Sequence, residues 1–355
     1  MTEPKGTSRP REGEPREREP REGEPREREP RERGPRDRRL LAGVVVVLAV
    51  MLVGVAAVVG YYGAAVLGGL NAMERASTVM PAEGASRPAP VAAAEDRAEE
   101  PVNVVLMGSD TRGGERGRSD VLQLLHIPGD RSGIFLMSFP RDTWVDIPGR
   151  GEAKINAAYS YGGAALTVQT MEQLLDVPMD HVAIIDFGGF IRVIDALGGV
   201  TVYNEHASGS DGHTFPEGPV ELTGESALVF VRERYNVPGG DLGRAERQRD
   251  VIIAVIDKLA STDTLTDPSK FRDAVTSLGP NFTVDEGLDN GRIAELGWKL
   301  RSSAGNVRSM QLPITGLGWS DDGQSIVIRD DIALEELRAA LRADDLAGFY
   351  TSHGA

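Results

Sequence analysis

The chain has no cysteine among its 355 residues. Disulfide bridges, thiolate metal sites and a thiol nucleophile are therefore excluded. Positive charge is also scarce over most of the chain. The formal net charge is −15, and residues 1–39 hold thirteen basic and eleven acidic side chains, a net +2, which leaves −17 for the rest. So acidic a body argues against nucleic acid as a partner.

Apolar residues are almost missing from residues 1–39, where the block REGEPREREP occurs twice in succession. A segment without apolar side chains cannot form a core, so we expect a disordered tail rich in proline, arginine and glutamate.

Charge is missing from residues 40–70, which are predominantly apolar and long enough to span a bilayer as one transmembrane helix. A cleaved signal peptide is the alternative, but its apolar core is only about 7–15 residues long. Five arginines lie just before this span, whereas only Arg75 and Arg87 follow it closely. We therefore expect a single-pass protein of the cell membrane, with the tail in the cytoplasm and the rest of the chain extracytoplasmic.

Residues 71–100 are rich in alanine, proline and glutamate, which is typical of a flexible linker, and folded sequence is expected over 101–350. Short apolar runs predict strands, whereas apolar residues at helical spacing predict helices. The strands are expected at 103–108, 121–127, 133–139, 181–186, 307–313 and 325–329, and the helices at 153–175, 187–197, 268–278, 289–302 and 331–345. Residues 205–222 are expected to form a surface loop. The fold class is therefore α/β, with a mixed central β-sheet flanked by helices.

An arginine-rich stretch over residues 224–249 stands out in this acidic chain. Arg244, Arg247 and Gln248 share one helical stripe with the apolar residues that follow them, so they are expected to face the core. Arginines in a first helical turn oppose the helix dipole, so such a pair requires a bound anion or buried carboxylates. Arg249 falls off this stripe. The alternative is a solvated helix with ordinary ion pairs.

Two further arginines, Arg232 and Arg234, stand on either side of Glu233. In an extended segment they would share one face, where two guanidinium forks suit phosphate oxygens.

Two charged loops follow predicted strands. The loop at 108–120 carries Asp110, Arg112, Arg118 and Asp120, whose carboxylates are ligands of the kind that magnesium takes, although such aspartates also occur as plain turn formers. The second loop carries Arg141 and Asp142, and Lys154 opens the helical pattern that follows it. We expect both loops to lie at one edge of the sheet.

Eight ordered blocks cover about residues 102–258: NVVLMGSDTR, GRSDVL, SFPRDTWVDIPG, KINAAYSYGG, DHVAIIDF, LGGVTV, LTGESALVFVRERY and GDLGRAERQR. In these blocks the chain resembles the LytR-CpsA-Psr family, membrane-anchored phosphotransferases that attach glycopolymers to the bacterial cell wall. The composition of the tail is typical of an actinobacterial member.

The resemblance implies a three-layer fold and a polyprenyl-pyrophosphate-linked glycan as donor, with its isoprenoid tail in an apolar pocket. A glycopolymer of teichoic acid, capsule or arabinogalactan type would pass to a sugar hydroxyl of peptidoglycan. The implied cofactor is Mg²⁺, with Mn²⁺ as the alternative, held by Asp110 and Asp120. The implied catalytic residues are Asp110, Arg141, Arg232 and Arg234, and the implied substrate-binding residues are Arg118, Asp142, Lys154, Asp241, Arg244, Arg247 and Gln248.

Two other functions use the same residues. With water as acceptor the protein would be a lipid pyrophosphatase, and without catalysis it would be a wall-binding or regulatory protein of the envelope. A catalytic site requires that Asp110, Asp120, Arg118, Arg141, Arg232, Arg234 and Arg244 line one cleft.

Overall fold

The fold is taken from a computed structural model, which describes residues 51, 57–58, 60–82, 84–91, 99–109, 119–301, 303 and 305–353, with only the backbone at 119 and 120. The predicted tail, 1–39, and much of the predicted span, 40–70, lie outside these residues. Within the described part of the chain, no helix combines the length and the apolar character needed to cross a membrane.

The strands run, in chain order, over Glu74–Arg75 (β1), Val102–Ser109 (β2), Ser119–Ile127 (β3), Ile134–Ser138 (β4), Trp144–Ile147 (β5), Gly151–Lys154 (β6), His181–Asp186 (β7), Val200–Asn204 (β8), Ser208–Ser210 (β9), His213–Phe215 (β10), Gly218–Leu222 (β11), Phe282–Val284 (β12), Val307–Gln311 (β13), Ile314–Trp319 (β14) and Ser325–Arg329 (β15). The helices run over residues 60–72 (α1), Asn156–Leu175 (α2), Phe187–Ala196 (α3), Gly224–Arg232 (α4), Asp241–Ala260 (α5), Thr262–Thr266 (α6), Pro268–Leu278 (α7), Asn290–Leu300 (α8), Asp331–Arg342 (α9) and Leu346–His353 (α10).

A mixed sheet of seven strands, in the spatial order β1-β12-β7-β2-β3-β4-β13, forms the centre of the fold. Strand β2 is parallel to β7 and antiparallel to β3, and β4 is antiparallel to β3 and parallel to β13. Strands β2, β4, β7 and β13 therefore run the same way, and their carboxyl ends meet at one edge. The described starts of the two predicted loops, at Ser109 at the end of β2 and at Phe139 after β4, lie at this same edge, whereas residues 110–118 lie outside the described residues.

Helices cover both faces of this sheet. Val105 and Met107 of β2 point to one face and join a core with α2, α9 and α10, whereas Val104 and Leu106 point to the other face, toward α8. Helices α3, α4 and α5 form a further core with residues of β7 and β12 beside them. Alternate side chains of a strand face opposite ways, so a strand buried on both faces has apolar side chains on both, as β2 has over residues 104–107. The predicted α/β class with a mixed, helix-flanked sheet is confirmed.

The region expected to be a flexible linker is docked on the body over its described part, 71–82 and 84–91. Strand β1 pairs in parallel with β12, and Val79 is buried in the main core. Arg87 donates from Nε and Nη2 to the buried carboxylate of Glu172, at 2.9 and 2.5 Å from its Oε1. Composition suggested a tether, but one buried valine and one ion pair hold this segment in place.

Helix α1, next to this segment, also contacts the body. The hydroxyl of Tyr61 donates to the carbonyl of Pro268 at 3.1 Å, and that of Tyr62 donates to the carbonyl of Leu265 at 3.2 Å. The ring of Tyr62 lies 4.8 Å from that of Phe271. Helix α1 is thus attached to α6 and α7.

The expected surface loop over 205–222 contains strands β9, β10 and β11 instead. Strands β9 and β10 form a hairpin whose turn has positive φ at Asp211 and Gly212, 49° and 81°. An Asp-Gly pair is the sequence typical of such a turn, so the signal was present in the chain. Strand β11 pairs with β8.

The Arg87–Glu172 pair predicts a stability effect. Arg87→Ala leaves the Glu172 carboxylate, whose side chain is 2% exposed, without its cation. We expect a loss of about 2–3 kcal/mol in the free energy of unfolding, below the range for fully buried pairs because Arg87 is partly exposed. Urea unfolding of the full-length protein measures it.

The control is Arg342→Ala, which removes the exposed ion pair with Asp176 and should cost less than about 1 kcal/mol. Equal losses in the two variants would contradict a docked segment.

Candidate functional site

A polar cavity of about 730 Å³ opens beside the carboxyl edge of the sheet. Its walls come from the loop after β4, the end of β6 with the start of α2, the turn before α5, and the hairpin β14–β15. The polar residues that line it are Arg141, Asp142, Lys154, Asn156, Ser160, Tyr161, Arg234, Asp241, Gln324 and Ser325. Five of the residues predicted from the sequence therefore lie in one cavity: Arg141, Asp142, Lys154, Arg234 and Asp241.

Two carboxyl groups hold the cations of this cavity together. Arg141 Nε lies 3.3 Å from Asp241 Oδ2, and Arg244 Nη2 lies 3.3 Å from Asp241 Oδ1. Lys154 Nζ lies 3.2 Å from Asp142 Oδ1. Arg244 is buried and reaches the cavity through this contact with Asp241.

The two carboxyl groups also contact each other, and each shifts the pKa of the other. Burial raises the pKa of Asp142, and its hydrogen bond with Asp241 raises it further, against the opposing charges of Lys154 and Arg141. Burial also acts to raise the pKa of Asp241, but the hydrogen bond from Asp142 and the charges of Arg244 and Arg141 outweigh it, so the net shift is downward. Three arginines and one lysine stand against these two carboxyl groups, so the cavity carries an excess of positive charge suited to an anion.

The amino end of α5 adds to this field. Gly239 and Gly240 line the cavity just before the helix, at φ of 77° and 59°, a region that favours glycine. Free backbone N–H groups at a helix start attract anions. The predicted inward stripe of α5 is confirmed, because Arg244, Arg247 and Gln248 are all buried.

Arg232 and Arg234 do not share one face. Arg232 is the last residue of α4, and its guanidinium lies 4.9 Å from the centre of the Phe187 ring. Arg234 lines the polar cavity and donates from Nη2 to the Tyr235 hydroxyl at 2.5 Å. The expectation of an extended segment was wrong because the apolar run before Arg232 forms helix α4, which ends at Arg232 and leaves its side chain exposed.

Arg247 is bound within the protein. It donates to Glu233 Oε2 at 2.9 Å and Asn204 Oδ1 at 2.9 Å, and its guanidinium lies 4.2 Å from the centre of the Phe230 ring. An inward arginine was expected to have either a bound anion or a buried carboxylate as its partner, and for Arg247 that partner is the buried carboxylate of Glu233. The structure places Arg247 away from the polar cavity.

A second cavity, of about 270 Å³, is lined almost wholly by apolar side chains. It lies between the sheet and α3, α4 and α5, and its polar residues are Gln248 and Asp186. Helix α5 connects the two cavities, with Asp241 at the polar one and Gln248 at the apolar one, seven residues and about 10 Å apart. Helical spacing over 187–197 did not distinguish a cavity wall from ordinary core.

The predicted metal loop is only partly visible. Asp110, Arg112 and Arg118 lie outside the described residues, and only the backbone is described at Asp120. Gly108 pairs with Val121 and Ser109 with Ser119, so Asp120 is the extra residue of a bulge beside the residue that precedes Asp110. Among the side chains that are described, no group of three or more His, Cys, Asp or Glu residues could hold a metal ion.

Several cavity residues were missed by the sequence analysis, namely Asn156, Ser160, Tyr161, Leu317, Gln324 and Ser325. Strand β14 was missed altogether, although the sequence ITGLGWSDDGQSIVIR has a turn-forming DDG between two runs of alternating residues.

Asp250 of α5, whose side chain is partly buried, lines a third cavity. Burial and the carboxylates of Glu246 and Glu205 together raise the pKa of Asp250 to about 6, against the charges of Arg249 and Arg247. This group titrates well above its ordinary range.

Several known proteins are similar to this chain in sequence and in fold. The LytR_cpsA_psr family model matches residues 68–343. The polyisoprenyl-teichoic acid–peptidoglycan teichoic acid transferase TagU of Bacillus cereus is 37% identical over 245 residues, which cover 69% of this chain and 79% of that protein. The crystal structure of B. subtilis TagV superposes with a TM-score of 0.60 at 28% identity, over 70% of this chain and 98% of TagV. The structure of TagT bound to LI-WTA gives 0.56 at 29% identity, over 72% and 98%.

The raised pKa of Asp250 predicts a pH-dependent stability. The Asp250 carboxyl has a pKa of 3.8 in the unfolded state and about 6 in the folded state. As the pH rises from about 4 to 6, the unfolded state therefore releases its proton first, and the free energy of unfolding falls. Above pH 7 the loss is complete and constant. Asp250→Asn should then stabilise the protein by on the order of 1–2 kcal/mol, with no gain below about pH 4.

Thermal unfolding between pH 4 and pH 8 measures this difference. Asp257→Asn, on the exposed side of the same helix, is the matched control and should show no such pH dependence. A gain at Asp250 that is equal at pH 4 and pH 8 would contradict the assignment.

Proposed function

The chain belongs to the LytR-CpsA-Psr family, and from this we propose that it transfers a glycopolymer from a polyprenyl-pyrophosphate carrier to a sugar hydroxyl of peptidoglycan. The observation that carries the proposal is the pairing of a cationic polar cavity with an apolar cavity along α5. A lipid pyrophosphate has the same two parts, a charged head and an apolar tail.

The tail of the carrier would occupy the apolar cavity. Its walls offer the aliphatic and aromatic surface that an isoprenoid chain needs, and burying such a chain is favourable in proportion to the apolar area removed from water. Arg232 stands on Phe187, which is itself a wall of that cavity, so its charge lies beside the tail's polar end.

The pyrophosphate would lie between the two cavities, near the amino end of α5. Arg141, Arg244, Arg234 and Lys154 supply the positive charge there, and Asp241 keeps two of the guanidinium groups in place. Charged donors fixed before the reaction stabilise the charge on phosphate oxygens in the transition state, and removing one such donor typically costs about 100- to 1,000-fold in rate.

The reaction itself is a displacement at the glycan-side phosphorus. The oxygen of the acceptor hydroxyl forms the new P–O bond, the bond to the bridging oxygen breaks, and polyprenyl phosphate leaves with that electron pair. The hydroxyl proton passes to a carboxylate, for which Asp110 is the candidate base.

Magnesium is part of the proposal. Asp110 and Asp120 would hold it, and when bound it would neutralise charge on the phosphate oxygens. The strand pairing supports this choice, since the bulge at Asp120 lies next to Ser109, which Asp110 directly follows in the chain.

The proposal also keeps the predicted location. Residues 40–70 would anchor the protein in the cell membrane with the tail, 1–39, in the cytoplasm and the catalytic body outside, where both the lipid donor and the wall are present.

The transfer activity predicts a strong effect at Arg234. The full-length protein in detergent, given polyprenyl-pyrophosphate-linked teichoic acid, peptidoglycan and Mg²⁺, should form a phosphodiester-linked product that mass spectrometry detects. Arg234→Ala should lower kcat/KM by about 100-fold or more, because it removes a phosphate-binding cation.

The control is Arg342→Ala, which also replaces an arginine by alanine, but in α9 and outside the polar cavity. This variant should retain activity. Chelation should abolish turnover and added Mg²⁺ should restore it. Absence of any linked product from the wild type would refute the transferase, and released glycan phosphate without linkage would favour a pyrophosphatase. Full activity of Arg234→Ala would refute the site.

The tail cavity predicts a dependence on lipid length. Ala183 lies in its wall, so Ala183→Val, Ala183→Leu and Ala183→Phe should fill it progressively. We expect the KM for a long-chain donor to rise by about tenfold in Ala183→Phe, because lost apolar burial weakens binding.

A donor with one or two isoprene units is the internal control, and its KM should change by less than about twofold. Equal changes for short and long donors would contradict this location of the tail.

A further inference from the structure

An exposed face of the hairpin β14–β15 borders the polar cavity. Leu317 pairs with Val327 and Trp319 with Ser325, so these four residues share one face of the hairpin. Leu317, Ser325 and Val327 line the cavity, and Trp319 is the next side chain along that face. Leu317 is 67% exposed and Trp319 is 75% exposed, although both are large apolar residues. The face therefore extends from the cavity wall to its rim.

The hairpin is fixed relative to the carboxyl pair of the cavity. The backbone N–H of Val327 donates to the carbonyl of Asp142 at 2.9 Å, and Arg329 Nη1 donates to the carbonyl of Trp144 at 3.1 Å. Val327 itself is 1% exposed. Because the backbone of Asp142 holds this surface, the surface keeps a constant position relative to the charged side chains of the polar cavity. A substrate-binding surface requires such a fixed position.

Another wall of the cavity, formed by α2, carries a second ring. Tyr161 lines the cavity at 45% exposure, with neutral polar groups of Asn156 and Ser160 beside it. Flat apolar rings together with hydroxyl and amide groups match a pyranose, which has an apolar C–H face and a rim of hydroxyls. Phosphates and lipid tails offer no such face.

The position of the hairpin selects the acceptor sugar over the donor sugar. The apolar cavity is built on β2, β3, β7 and β12, whereas the hairpin follows β13, the edge strand on the opposite side of the sheet. Among the residues that the structure describes, none lines both cavities. In a displacement at phosphorus, the attacking and leaving oxygens lie roughly in line, so the acceptor arrives from the side away from the leaving lipid phosphate.

We propose that Trp319 and Leu317 of β14, with Tyr161 of α2, form the binding surface for the glycan strand of peptidoglycan as acceptor. The sugar ring stacks on Trp319, and its hydroxyl is directed past Leu317 toward the carboxyl pair. This inference rests on the proposed transfer to peptidoglycan, and it deepens it by assigning the acceptor to these residues.

The test uses the full-length protein in detergent with Trp319→Ala, Trp319→Phe and the control Trp298→Ala. Trp298 is also exposed, at 68%, but lies on α8. Peptide-free glycan strands of peptidoglycan are the probe in calorimetric binding, and the same strands are the acceptor in turnover. Trp319→Ala should raise the Kd for strands and the acceptor KM by about tenfold, with the donor KM unchanged. Trp319→Phe should restore most of the binding, and Trp298→Ala should match the wild type.

Each result decides the inference. An unchanged strand Kd in Trp319→Ala overturns it, as does a rise in the donor KM instead of the acceptor KM, which would assign the hairpin to the donor glycan. Should the wild type form no linked product, the proposed function fails, but strand binding that depends on Trp319 still supports the acceptor surface. Absence of strand binding by the wild type overturns the surface itself.

Discussion

The site depends on how several cations are kept close together. Like charges repel, so Arg141, Arg244 and Lys154 share a small volume only because carboxyl groups stand between them. Asp241 contacts both guanidinium groups, and it does so from the first turn of α5, where a negative charge is itself favourable. Three arginines and one lysine still outnumber the two carboxyl groups, so the cavity keeps an excess of positive charge. A bound anion would balance this excess of positive charge.

Helix α5 places two unlike environments side by side. Its first turn faces the cationic cavity, its third turn reaches the apolar one, and Arg247 between them is tied to Glu233, which fixes the rotation of the helix. A substrate with a charged head and an apolar tail would thus contact the same helix, α5, with both parts. Positioning of this kind lowers the entropic cost of reaction because the groups need no rearrangement.

Much of this fold could be predicted from local patterns. The apolar runs of β2, β3, β4 and β7 and the inward stripe of α5 were visible in the sequence, because burial alternates with a fixed period in strands and helices. Arg141 and Asp142 were found because a charged loop follows β4, whereas Asp241 was found through the family resemblance of its block. Local periodicity does not specify long-range partners, however. That Arg247 is bound by Glu233, that Arg232 stands on Phe187, and that Val79 is part of the core depend on tertiary packing.

Strand β14 of the exposed hairpin was missed for a related reason, whereas β15 was predicted at 325–329. An exposed tryptophan contributes nothing to a core pattern, and its meaning depends on a cavity assembled from residues up to about 180 positions earlier in the chain. Glycines at alternate positions of β14 weaken the apolar signal of a strand further.

The pairing of β1 with β12 attaches the segment after helix α1 to the central sheet. Helix α1 ends at residue 72 and the sheet begins at Glu74, so there is no slack between them, and the tyrosines of α1 fasten it to the body. A force applied to helix α1 would therefore pass into the sheet through β1, and the helix would not act as a separate arm.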